Sequence, residues 1–78
     1  MTLPIDEWAS YRSQEDRLTP RETEILKMYA RGMTHPEIAG KLWLATETVK
    51  SHTKHIRAKL GAKTTAHAIA IAMSREWI

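Results

Sequence analysis

The chain has 78 residues, room for one domain and not two, and its lack of cysteine excludes disulfides and thiolate metal sites as sources of stability. The formal charge of +3 is modest but uneven: residues 1–17 hold two bases and four acids, residues 18–63 nine bases and four acids, and residues 64–78 one of each. The N-terminus (Met-Thr-Leu-Pro-Ile-Asp-Glu-Trp) has acids where a signal peptide carries base, and no apolar run approaches the ~20 residues that span a bilayer, so no membrane segment and a cytoplasmic location are expected.

Residues 1–17 are polar and acid-rich and are expected to be an extension, partly ordered or helical, with the domain proper over 18–76. The first helix starts at Thr19-Pro20-Arg21-Glu22, where Thr19 can cap free backbone amides, Pro20 needs no amide partner and Glu22 completes a capping box. Ile25, Leu26 and Tyr29 recur at helical spacing, and Gly32 ends the run. Thr34-His35-Pro36-Glu37 repeats the start signal for a short second helix ending near Leu42, followed by the apolar connection Trp43-Leu44-Ala45. A third helix is expected over Thr46 to Leu60, closed by Gly61, and a fourth from Thr64 or Thr65 to about Glu76. Nothing alternates like a half-buried strand, so the class is all-α.

The third helix is two-sided. Val49, Thr53, Ile56 and Leu60 fall in one narrow stripe, while Glu47, Lys50, Ser51, Lys54 and, towards one flank, Arg57 lie opposite, with His52, His55 and Lys59 along the other flank. A solvated helix usually mixes both signs of charge, whereas here Glu47 is the sole acid. A short helix, a turn of about three residues and a longer basic helix is the helix-turn-helix arrangement, whose second member enters the major groove of double-stranded DNA. There lysine can donate to guanine and serine can read donors or acceptors, while flanking bases and helix-start amides suit phosphates.

Taken together, Leu18-Thr19-Pro20-Arg21-Glu22, Glu24-Ile25-Leu26, Ala30 with Gly32, Glu37-Ile38-Ala39, Leu42, Thr48-Val49-Lys50 with His52, Ile56, Lys59-Leu60 and Ala68-Ile69 resemble the LuxR-type (NarL/GerE-type) DNA-binding domain. The resemblance covers about 55 residues in the family's order and spacing; it implies a four-helix domain that binds a pseudo-palindromic promoter site as a dimer through its last helix. It implies base reading by Lys50, Ser51 and Lys54, and backbone contact or support of the helix by Thr48, His52 and Lys59. The residues themselves add Thr34, Thr46 and Arg57 as backbone contacts. The length suggests the family's free-standing form. Three departures from the family's pattern stand out. His35-Pro36 replaces Asn-Lys or Asn-Arg, Ala45 replaces the serine that caps the recognition helix, and Thr65 replaces a common arginine.

In the fourth helix Ala68, Ile69 and Ala72 make one apolar stripe, and Ala66, Ala70, Met73 and Trp77 a second. The first is expected to face the core and the second to form a homodimer interface, unless Leu3, Ile5, Trp8 and Tyr11 fold back to cover it. His52 and His55 stand three apart, a spacing that can hold metal, but no carboxylate or third histidine shares their face, so no metal and no cofactor are expected. No nucleophile-base pair, paired carboxylates or phosphate loop appears, and the protein is not read as an enzyme. The rival reading is a protein-interaction module: an anti-activator, or a domain resembling sigma-factor region 4 that docks on RNA polymerase.

Overall fold

The structure, a computed structural model, describes residues 17–78, which form four helices: α1 (Pro20–Ala30), α2 (His35–Leu42), α3 (Thr46–Leu60) and α4 (Thr65–Ser74). The expected extension lies outside the described residues except for Arg17. Both capping boxes form. Thr19 Oγ1 accepts from the Glu22 N–H at 3.1 Å while Glu22 Oε1 accepts from the Thr19 N–H at 2.8 Å, and Thr34 and Glu37 repeat the pair at 3.3 and 2.8 Å. Thr64 caps α4 by accepting from the His67 N–H at 3.0 Å. Helix α3 differs: Ala45 stands at its N-cap with no side-chain hydrogen bond, so Thr46 does not take over the missing serine's task.

Each helix is closed by a backbone bond that reaches back past a left-handed residue: Met33 N–H to Met28 C=O, Leu44 to Ala39, Ala62 to Arg57 and Trp77 to Ala72. Two of these left-handed positions hold glycine, Gly32 at φ 87° and Gly61 at φ 65°, as the sequence leads one to expect. The other two are Trp43 at φ 58° and Glu76 at φ 59°, where a Cβ costs roughly 1–2 kcal/mol. The turn at Glu76 corrects the fourth helix. It ends at Ser74 rather than near Glu76, because Glu76 and Trp77 donate to the Met73 and Ala72 carbonyls in place of continuing the spiral.

The core joins Ile25, Leu26 and Met28 of α1, Ile38 and Ala39 of α2, Val49, Ile56 and Leu60 of α3, and Ala68 and Ala72 of α4. Helices α1 and α3 each pack on the other three, and α1 holds α3 by polar ties as well. Lys59 Nζ donates to Glu22 Oε1 at 2.8 Å, and Glu22 is buried. The Tyr29 hydroxyl and Thr53 Oγ1 lie 2.8 Å apart, and Thr53 donates to the Val49 carbonyl at 2.8 Å, so buried Thr53 is satisfied without reaching solvent. These ties fix α3 in roll and height, so its outer side presents a defined set of residues.

Candidate nucleic-acid interface

The inward stripe of α3 read from the sequence, Val49, Thr53, Ile56 and Leu60, is the buried one. Lys50, Ser51 and Lys54 are all exposed on its outer side. Lys50 Nζ approaches Glu47 Oε1 at 3.5 Å, a pair open to water on both sides. Such a pair is weak and is readily exchanged for another anion. Arg57 is half-buried and exposed Thr48 lies on the far edge.

The candidate phosphate contacts occupy different situations. Thr46 and His52 are half-buried on α3, while Thr34 sits at the start of α2 with its hydroxyl engaged in the capping box. Lys59 is turned inwards: its ammonium bonds Glu22 at 2.8 Å and approaches the Arg17 carbonyl at 3.4 Å. Burial pushes the Glu22 carboxyl up, yet the Lys59 ammonium and the hydrogen bonds from Thr19 outweigh it and leave its pKa below the ordinary glutamate value. Lys59 therefore does not share the outer face with Lys50 and Lys54. Its partner lies 37 residues away in sequence, which no helical wheel can reveal.

The start of α3 meets solvent bare. Among the described residues no side chain caps it; the Thr48 amide bonds the Ala45 carbonyl at 3.0 Å, and the amides of Thr46 and Glu47 are left to meet an anion. At the start of α2, by contrast, the Thr34 N–H and the Glu37 carboxylate are already paired, and both Thr34 bonds hold the Glu37 carboxyl below its usual pKa. The departures Pro36 and Ala45 thus act differently: Pro36 fits the first turn of a closed helix start, and Ala45 leaves the next one open.

Thr48, Ser51, His52 and His55 line a shallow depression along the far edge of α3. His55 is exposed there, although the sequence groups it with His52 and Lys59 on a flank. The signal that separates it is angular. At about 100° per residue, His55 and Lys54 stand equally far, about 50°, from the line opposite the buried stripe. Among the described residues no group of three or more histidines or carboxylates could hold a metal ion, and no helix is long and apolar enough to cross a membrane.

On α4, Ala66, Ala70 and Met73 are placed differently from Ala68 and Ala72, which are buried as expected; Met73 is 60% exposed. Trp77 is not part of that outer row. It lies past the end of the helix, half-buried, with the guanidinium of Arg75 at 5.0 Å and that of Arg17 at 5.7 Å from its ring centre.

A capped short helix, a three-residue turn and a longer helix with a basic outer side, packed on a preceding helix, define a helix-turn-helix domain of the DNA-binding class. Residues 16–72 match the model of the luxR family of bacterial regulatory proteins, and the chain belongs to that family. Two relatives are the oxygen regulatory protein NreC of Staphylococcus aureus strains JH9 and USA300, each 39% identical over 59 residues, which are 76% of this chain and 27% of theirs. The chain thus spans about a quarter of the length of these relatives. Among solved structures, the response regulator ChrA of a heme-sensing two-component system superposes with a TM-score of 0.76 at 31% identity, covering 99% of this chain and 40% of that one.

Proposed function

We propose that this domain is the sequence-reading part of a transcription regulator, with α3 in the major groove of double-stranded DNA. Lys50, Ser51 and Lys54 would read base edges, and Thr46, Thr48, His52 and Arg57, with the open first turn of α3, would meet phosphates. Thr34 would reach a phosphate only through the outer side of its capping hydroxyl, and Lys59 would act by holding α3 in place. The observation that carries this reading is the outer side of α3: Lys50, Ser51 and Lys54 are exposed together on a helix whose inner side is fixed to α1. Membership in the luxR family supports it.

Two domains would bind a pseudo-palindromic site through α4, with the small side chains of Ala66 and Ala70 allowing close helix approach and exposed Met73 supplying contact area. Trp77, with the guanidinium groups of Arg17 and Arg75 over its ring, would lie at the rim of that contact rather than in its centre. A second reading, docking on a protein such as RNA polymerase, draws on one observation: Trp43 is 94% exposed in the turn before α3, and an indole is a common anchor of protein interfaces.

Selection of bound sites from random DNA tests the reading directly. The expected outcome is a two-part site whose affinity falls steeply with salt, with Lys50→Ala altering base preference at one position by about 1–3 kcal/mol. A Lys50→Ala protein with unchanged preference would leave α3 without its proposed role. Sedimentation showing monomer alone, free and on DNA, would remove the dimer.

A further inference from the structure

The two edges of α3 carry charge of different kinds. One edge carries the ammonium groups of Lys50 and Lys54, and Glu47, the sole acid of the helix, sits among them 3.5 Å from Lys50. The other edge is the depression lined by Thr48, Ser51, His52 and His55, where the described residues supply hydroxyls and imidazoles but no lysine, arginine or carboxylate. Lys59, one turn beyond His55, is spent on Glu22 of α1, so that neighbouring pair brings the edge little net charge. Lys54, adjacent in sequence, points about 100° away around the helix.

Hydroxyls on a helix beside the major groove commonly donate to phosphate oxygens, and Thr48 is exposed on this edge. The positive charge that such an edge needs against a phosphate can come from its own side chains only by protonating an imidazole. His55 is the exposed one of the pair and His52 is half-buried.

We propose that His55 is a further DNA-contacting residue, whose ring donates to a backbone phosphate seated at the Thr48–Ser51–His52–His55 edge in its protonated form, so that DNA binding is linked to proton uptake. The proposal rests on the reading of α3 as the groove helix and adds to it a backbone grip that weakens with rising pH. A phosphate beside an imidazole favours its charged form. Binding through this contact is then stronger in acid and weakens as pH rises.

The experiment uses the whole chain and a DNA fragment that the unaltered protein selects from random sequence. Affinities are measured at fixed ionic strength at about pH 6 and pH 8 for the unaltered protein, His55→Gln and His55→Arg. The unaltered protein is expected to weaken roughly fivefold or more across that interval. His55→Gln should bind more weakly than it at the lower pH, with a flatter profile, and His55→Arg should bind tightly at both. All three should select the same bases, because the contact is to phosphate, and should melt alike, because His55 is exposed. A His55→Gln profile that coincides with that of the unaltered protein, while site selection succeeds, overturns the His55 contact and leaves the groove helix standing. Failure of the unaltered protein to select any site overturns the groove reading and the contact with it.

Discussion

Helices α2 and α3 are neighbours in sequence and partners in the fold, yet they are held in opposite ways. Helix α2 has eight residues, buries Ile38 and Ala39, and is closed at both ends: a reciprocal capping box at Thr34 and Glu37 starts it and the Leu44-to-Ala39 bond finishes it. Helix α3 starts bare at Ala45 and is held instead by its side, through Val49, Thr53, Ile56 and Leu60, the Tyr29–Thr53 bond and the Lys59–Glu22 pair. A helix start without a side-chain cap gives its helix little grip at that end. Its anchorage therefore shifts inwards and towards its C-terminal half.

If α3 is held by its side, removing that side should cost most. Ile56→Ala deletes a fully buried branched side chain at the junction of the helices, and a loss of about 2–5 kcal/mol of unfolding free energy is expected by chemical denaturation. A loss below about 1 kcal/mol would mean the core does not carry α3.

Next in size is the ion pair. Glu22→Gln leaves the Lys59 ammonium without its counter-charge, and because Lys59 is partly open to water a loss of about 2 kcal/mol is expected, below the range for fully enclosed pairs. The pH dependence sharpens this. The folded Glu22 pKa is lowered, so its contribution is fully present above the ordinary glutamate pKa and is lost as pH falls through the lower folded value. Acid unfolding of the Glu22→Gln variant should therefore show a shallower fall of stability below about pH 4.5 than that of the unaltered protein.

The smallest effects bear on the helix starts, and they should have opposite signs. Thr34→Ala is expected to cost about 1 kcal/mol by opening the α2 box, whereas Ala45→Ser should add about 0.5–1 kcal/mol by closing α3. Equal losses from both would contradict the contrast between a closed and an open start.

Most of the architecture is legible in the sequence because its signals are local. Thr-x-x-Glu boxes, proline in the first turn and Gly32 and Gly61 mark boundaries within a few residues of chain, and the stripe of α3 follows from spacing alone. Left-handed turns at Trp43 and Glu76 carry no such mark, since neither residue favours that conformation, and helical spacing therefore runs past the true end of α4. The direction of Lys59 is hidden for another reason. A wheel gives the angle at which a side chain leaves its helix but not the carboxylate of a distant helix that captures it. The place of His55 is legible by angle and is obscured when it is grouped with its flanking neighbours.

Trp43 gives the domain an optical property. Its indole is almost wholly in water, yet its backbone is pinned in a left-handed turn by the Leu44-to-Ala39 bond, directly ahead of the open start of α3. A fluorophore placed this way emits from a solvated environment on a fixed stretch of backbone. With Trp8 and Trp77 replaced by phenylalanine, its emission colour would register whatever covers the turn, and its anisotropy would register the size of the particle that the domain has joined.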